Sequence, residues 1–327
     1  MKGTLIISLD FELFWGVQDV DTLDGYGKNV LGVWNAVPRL LTLFEKYNVH
    51  ATWATVGFMF AENYHHLKEY LPNQEQRPTY DKSALSSYNC FSDIARNDEN
   101  KKYFYAPELI GLVSNTNGQE IASHTFSHYY CDEKGQTLEQ FKADMLSAIQ
   151  IAKDNGYQLK SFVFPRNQSV DEYVKVLQEL GFTSYRSMAE NWIHHKVKKG
   201  IIRRALRLLD VYLPLTGSNA YLPKTTEGII NLPGSNMFKP KSKALFFLEG
   251  LKIHRIKKQM KKAAKKGLVY HLWWHPHNLG KNTDFHFGQL RKIFDYYKKL
   301  QEKYQMQSLN MNEVAQLLGK NKEKESK

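Results

Sequence analysis

The sequence predicts an α/β fold on a mainly parallel sheet, open or closed into a barrel. Three observations carry this expectation. Short β-branched runs alternate with helix-period segments over most of the chain, helices open on side-chain caps, and no internal repeat breaks the alternation.

The elements follow in order. TLIISL (4–9) reads as a buried first strand. Residues 30–47 place Val33, Val37, Leu40, Leu41 and Phe44 on one helical face. VHATWAT (49–55) is the next strand, and the polar, aromatic-dotted stretch from about 71 to 105 has no sustained period and reads as an insertion or long loop. QEIAS (119–123) is a short strand, after which Thr137 and Gln140 form a capping box for a helix reaching about Asn155. SFVF (161–164) is a strand; Ser169 with Glu172 caps a helix that Gly181 ends. GIINL (228–232) and LVYHLWW (268–274) supply later strands, and Asn310 with Glu313 opens a final helix. In such a fold, chemistry belongs where strands end and loops begin.

With 327 residues, 42% apolar and 24% charged, the chain can bury a full core and is not broadly disordered. It reads as one domain over 1–327, with the insertion near 71–105 and a basic helical region near 194–266. At the N-terminus, Asp10 and Glu12 interrupt any signal-peptide apolar core, and no apolar run is long enough to cross a bilayer. Two cysteines, Cys90 and Cys131, are too few for a disulfide framework or a cysteine metal site. These features predict a cytoplasmic protein. Charge is divided unevenly: residues 1–150 carry 12 Lys/Arg against 19 Asp/Glu, and residues 151–327 carry 33 against 14. A basic half attracts phosphorylated substrates, anionic lipid or nucleic acid. Nucleic acid is not expected, because basic residues are not interleaved with exposed aromatics and no recognisable module is present.

Asp10 and Glu12 stand at the end of the first strand, and their i, i+2 spacing puts both carboxylates on one face, about 7 Å apart at the backbone. Acids buried at a strand end need a cation or a partner. SHTFSH follows the strand QEIAS and offers His124 and His128 as a histidine pair; with one carboxylate they form an open divalent-metal set. In HLWWHPHN (271–278), His271, Trp273, His275 and His277 share one face of an extended chain, with Leu272 and Trp274 on the other. Trp273, Trp274 and His277 are candidate substrate contacts, forming a wall that stacks on a sugar. The histidines of this wall, among them His275 at the strand end before Pro276, can move protons. Arg166 follows a strand and Pro165, where a guanidinium can hold a carboxylate bidentately.

SLDFE (8–12), GQEIASHTFSH (118–128), SFVFPRNQ (161–168) and LVYHLWWHPHN (268–278) occur in the order of the motifs of the polysaccharide deacetylases, carbohydrate esterase family 4. The chain resembles that family over about residues 4–280, and ATWATVGFMF (51–60) resembles its second-strand segment. The resemblance implies a distorted (β/α) barrel of about seven parallel strands and one divalent metal ion, zinc first. By position it implies His124 and His128 as metal ligands completed by Glu12, Asp10 as the base, Arg166 as its orienting partner and His275 as the acid. Where the family has two adjacent aspartates, this chain has Asp10 and Glu12 around Phe11, so base and ligand could be exchanged; its R-x-P-x-G is here F-P-R-N-Q. The implied activity is removal of an N-acetyl or other N-acyl group from an amino sugar of a cell-surface polysaccharide or a lipid-linked precursor. An N-deformylase or small-amide hydrolase is the nearest alternative, and a non-enzymatic module binding anionic glycan or nucleic acid is an alternative of another class.

Two basic amphipathic segments bear on location. KGIIRRALRLLD (199–210) puts Ile201, Ile202, Ala205, Leu206, Leu208 and Leu209 opposite Arg203, Arg204 and Arg207. Ile253, Ile256, Met260 and Ala263 form a second stripe among lysines. Both are expected either to pack on the barrel or to rest peripherally on an anionic membrane at its inner face.

Overall fold

The computed structural model describes residues 1–91, 97–198, 200–242 and 244–325. Residues 92–96 of the polar stretch, Lys199 and Lys243 of the basic region and the last two residues of the tail lie outside the described residues. The strands, in chain order, are β1 (Thr4–Phe11), β2 (Ala51–Thr55), β3 (Gln119–Ser123), β4 (Ser161–Val163), β5 (Ser184–Arg186), β6 (Lys224–Thr226), β7 (Ile229–Asn231), β8 (Asn236–Met237), β9 (Val269–Trp274) and β10 (Gln307–Ser308). They form one curled sheet in the order β6-β7-β5-β4-β3-β2-β1-β9-β8, with β10 on the first residues of β1. Among the described strand pairs only β6 with β7 is antiparallel, so the expected mostly parallel, barrel-like α/β fold is the one observed.

β1 is the axis of the sheet. All eight of its residues are buried, and it is parallel to β2 on one side and β9 on the other. A strand covered on both faces reads as a continuous apolar run, as TLIISLDF does until its last turn of side chains. That register carries the end of β1 to the end of β2 and sets both beside the end of β9. Helices close over the outer face. The helix Val33–Tyr47 buries Val33, Val37, Leu40, Leu41 and Phe44, the stripe its period predicts. Phe44 meets Trp53, Trp274 and Phe294 edge-on at ring distances of 5.9–6.3 Å.

Two of the three expected helix caps form. Thr137 and Gln140 make a reciprocal capping box, and Asn310 and Glu313 bond each other's backbone N–H groups at 2.9 and 2.8 Å. The helix Asp171–Glu179 instead starts from Val170 without a side-chain cap, one residue beyond Ser169. The described residues of the stretch 71–105 include several short helical turns, and aromatic residues tie it down: Phe91 and Phe104 pack on Trp15, 5.9 and 4.9 Å between ring centroids.

The two amphipathic segments behave differently. In the helix Glu249–Lys266, Ile253, Ile256, Met260 and Ala263 are buried in the core, beside the helix Thr283–Tyr304, so this stripe is unavailable to a membrane. Apolar area gains most where it can be covered, and here the barrel covers it. The helix Ile201–Tyr212 does the reverse: Ile201 is 83% exposed and Ile202 69%, with Leu208 and Leu209 also exposed.

Trp274 is likewise corrected as a substrate contact, because it is fully buried against Phe44 and Phe238. Trp274→Ala is expected to lower unfolding free energy by about 3–5 kcal/mol in urea titration, whereas Ile202→Ser stays within about 0.5 kcal/mol of wild type. A Trp274→Ala protein as stable as wild type would contradict the packing described.

Candidate active site

The ends of β1, β3, β5 and β9 meet at one point. Asp10 and Glu12 are 2% and 3% exposed there, although ionised carboxylates are rarely buried without partners. Arg186, the last residue of β5, answers Asp10 with a buried bidentate pair at 2.6 and 2.7 Å. The same guanidinium donates to Ser8 Oγ at 2.8 Å and Asn167 Oδ1 at 3.1 Å, and Ser8 also bonds His271 Nε2 at 2.8 Å. Burial would raise the Asp10 carboxyl, but Arg186 and the nearby His275 outweigh it and hold the group below the usual carboxylate value.

Glu12 is held differently. One oxygen, Oε2, lies 3.1 Å from His128 Nε2 and 3.3 Å from His124 Nε2. The other, Oε1, faces His275 Nε2 at 3.5 Å and His277 Nε2 at 3.8 Å. Burial opposes ionisation here too, and His275, His124 and His128 overcome it, holding Glu12 well below its ordinary value. Gly16 makes room for this carboxylate: a Cβ there would stand 2.0 Å from Glu12 Oε1.

The histidines are aimed by their other nitrogens. His124 Nδ1 donates to the Val163 carbonyl at 2.8 Å, leaving Nε2 buried with no aligned hydrogen bond. His128 Nδ1 bonds Tyr130 Oη at 3.1 Å, and that hydroxyl reaches Asp19 at 3.3 Å. An imidazole whose Nδ1–H is engaged presents a lone pair at Nε2, the form in which histidine binds metals. The donor atoms of Glu12, His124 and His128 all lie within 4.8 Å of one another, a set that fits a divalent cation, and the unsatisfied Nε2 of His124 is the atom such an ion would complete. Glu12, His275 and His277 form a second such set. The rings of His275 and His277 stack in parallel, 5.0 Å apart, and burial with His275 beside it pushes His277 down to about 4.

The loop carrying the first histidine pair is strained and clamped. Thr125 and His128 have φ of 66° and 58°, a costly region for a β-branched or bulky residue. Asp144, from the helix Leu138–Asp154, accepts the Phe126 and Ser127 N–H groups at 2.7 and 3.1 Å and the Ser127 hydroxyl. The sequence signal for Asp144 is an acid on the same helical face as Phe141, Met145 and Ala148.

Arg166 does not reach Asp10. It follows the end of β4 with φ 54°, and its guanidinium pairs with Asp19 and Glu133 and covers the Tyr130 ring at 4.2 Å. It therefore backs the His128–Tyr130 contact, and the partner of Asp10 is Arg186. Arg186 has a signal of its own in TSYRS, where strand alternation sets Ser184 and Arg186 on one face and Tyr185 on the other. His275 Nε2 sits 3.6 Å from Asp10 Oδ2, and Trp273 lies beside both, 5.7 Å from the His275 ring and 4.3 Å from the Arg186 guanidinium carbon.

Arg186→Met strands a buried carboxylate, so unfolding free energy at pH 7 should fall by about 3–5 kcal/mol. In wild type the depressed Asp10 contributes stability above its unfolded pKa and loses it as pH falls. In the variant burial is opposed only by the nearby histidines, the folded pKa rises, and stability is lost as pH increases. The gap between the two proteins in denaturant titrations should therefore widen from pH 3 to pH 7; a constant gap would contradict the pairing.

A sequence profile described as polysaccharide deacetylase matches residues 24–185. No curated protein sequence matches the chain. In fold, the chain is similar to a Mycobacterium smegmatis protein described as a polysaccharide deacetylase, at 14% identity and TM-score 0.63 over 98% of this chain and 92% of that one. A Pseudomonas aeruginosa protein of the same description gives 12% identity and TM-score 0.58 over 96% and 90%. An allantoinase gives 10% and 0.54 over 96% and 90%. The sequence match to the polysaccharide deacetylases, hydrolases of the carbon–nitrogen bond in linear amides, spans just under half of the chain and runs through the His124–His128 loop, and the fold is shared with such proteins over nearly the whole length.

Proposed function

We propose that the protein removes an N-acyl group, acetyl first, from an amino sugar of a cell-surface polysaccharide or its precursor, with the whole chain acting as one catalytic unit. The observation that carries this reading is the juxtaposition of an ionised Asp10, fixed by Arg186, with the donor set Glu12, His124 and His128. A divalent cation held by those three, zinc first, supplies Lewis acidity that polarises an acyl oxygen and acidifies water.

The chain's own groups do the proton work. Asp10 takes a proton from the attacking water, and Arg186 keeps it ionised and unable to rotate. His275 returns a proton to the departing amine, so the amide and one water become an amine and a carboxylic acid. His275 Nε2 stands 3.6 Å from Asp10 Oδ2, so a small closing movement would let the proton return between turnovers. Trp273, partly exposed beside His275, is the surface on which a sugar ring stacks.

The exposed stripe of the helix Ile201–Tyr212 supports a second element of the reading. No helix among the described residues is long and apolar enough to cross a membrane. Yet Ile201, Ile202, Leu208 and Leu209 face outward, and Phe246 and Phe247, just before the helix Glu249–Lys266, are 63% and 67% exposed. Apolar side chains beside cations suit peripheral contact with an anionic leaflet, where lipid-carried glycan precursors are presented.

Incubation with N-acetylated sugars, free and joined to nucleotide or prenyl carriers, should release acetate detectable by mass spectrometry. Asp10→Asn should keep its metal by elemental analysis and slow turnover by about 10²–10⁴-fold, while His124→Ala and His128→Ala should lose the metal. Full metal in both histidine variants would overturn the ligand assignment, and formate released from the N-formylated counterparts, with no acetate from the N-acetylated sugars, would select the deformylase alternative. Sedimentation with anionic vesicles should be salt-sensitive and weakened by Ile201→Ser with Ile202→Ser; equal recovery with neutral vesicles, or none with either, would overturn the membrane contact.

A further inference from the structure

Beside Trp273 a pocket opens between the helix Ile201–Tyr212 and the helix Glu249–Lys266. Its wall is shared with the active site: Trp273 lines it, and Gly234, whose Cβ would stand 2.8 Å from the Trp273 ring and 3.5 Å from Arg186, keeps that wall thin. The lining is cationic, with Arg207 at the exposed mouth, Lys239 half-buried, and Lys252 and Arg255 buried at 1% and 4%.

The charges do not balance internally. Arg255 pairs with Asp210 at 2.7 Å, and Lys252 with Glu249 at 2.5 Å. Arg207 and Lys239 have no carboxylate partner among the described residues, and Arg255 Nε is buried without a hydrogen bond. They also act on each other: burial and then Arg207 lower the Lys239 ammonium. Burial, Arg207 and Arg203 push His194, at the same wall, down to about 4, which leaves it neutral at pH 7. Folding does not gather unpaired cations against each other without cost; a bound anion would offset that repulsion.

The helix itself leaves its apolar side uncovered. Its apolar residues face outward, while Arg203 donates to the His194 carbonyl at 2.7 Å and Arg207 lines the pocket.

We propose that this pocket binds a phosphoryl group of the substrate, held by Arg207, Lys239 and Arg255 while the sugar lies over Trp273 with its amide at the catalytic cluster. This rests on the amide-hydrolase reading of the neighbouring site and names its substrate class as phosphorylated. The phosphoryl group is common to a sugar phosphate, a nucleotide-linked sugar and a prenyl-phosphate-linked sugar.

Binding is tested without turnover by titrating the purified full chain with inorganic phosphate at low ionic strength, by calorimetry and melting temperature. Wild type should bind saturably and melt higher with phosphate. Arg207→Gln and Lys239→Met should each bind at least tenfold more weakly and show no phosphate-dependent rise, while Lys142→Met on a remote helix should match wild type. Turnover of the three phosphorylated carriers then separates the sources: KM should rise in both pocket variants with kcat unchanged, and the carrier of lowest KM identifies the natural link. Variants that bind phosphate like wild type, or a wild type that shows no saturable binding, would overturn the pocket. Phosphate binding lost in the variants, with no carrier hydrolysed, would leave the pocket standing and overturn the amide-hydrolase reading instead.

Discussion

Two buried carboxylates at the end of one strand set the terms for everything around them. β1 can bring Asp10 and Glu12 inside only if each negative charge is met there, since an unpaired buried carboxylate would protonate or unfold the site. The two are met by different means. Asp10 receives a fixed guanidinium, which leaves it ionised and oriented; Glu12 receives four imidazole nitrogens, two on each oxygen. The first arrangement suits a group that accepts a proton, and the second a group that shares a cation. The division of labour between two similar acids thus follows from which neighbours the sheet order supplies, with β5 delivering the arginine and the ends of β3 and β9 the histidines.

Holding those neighbours has a conformational cost. Leu13, Thr125 and His128 all take positive φ within this cluster, at about 1–3 kcal/mol each for such residues. Asp144 offsets part of this by accepting three hydrogen bonds from the loop between the histidines, and Gly16 removes the side chain that would collide with Glu12. The strain is spent where donor atoms must point inward from a turn, which regular strand or helix geometry would not allow.

Much of this was legible in the sequence. The parallel sheet announced itself through β-branched runs separated by capped helices, and Asp10, Glu12, His124, His128 and His275 all follow strands, as residues of one rim must. What escaped has physical reasons. Arg166 looked like the partner of Asp10 because it follows a strand and a proline, but a positive φ turns it toward Asp19, and the arginine that reaches Asp10 ends a three-residue strand too short for its alternation to stand out. Trp274 shares a motif with Trp273, yet strand period 2 sends adjacent residues to opposite faces, one to the rim and one to the core. The two amphipathic stripes were indistinguishable by pattern; only packing decided that Ile253 and Ile256 would be covered and Ile201 and Ile202 would not.

That last difference links the chemistry to the charge division along the chain. A helix in an isolated soluble protein gains most by turning its leucines and isoleucines inward and its arginines outward, because apolar burial is favourable and guanidinium hydration is lost on burial. The helix Ile201–Tyr212 forgoes the first gain, since Ile201, Ile202, Leu208 and Leu209 stay exposed. That exposure becomes favourable if the helix has partners from outside the chain, lipid for the apolar side and an anion for Arg207. Because one helix bears both surfaces, seating the apolar side in a leaflet would fix the cationic pocket at the level of the phosphates, with Trp273 and the catalytic cluster next to it. Contact with a membrane and alignment of a phosphorylated substrate would then be a single event, and the basic half of the sequence would owe its charge to that alignment and not to solubility alone.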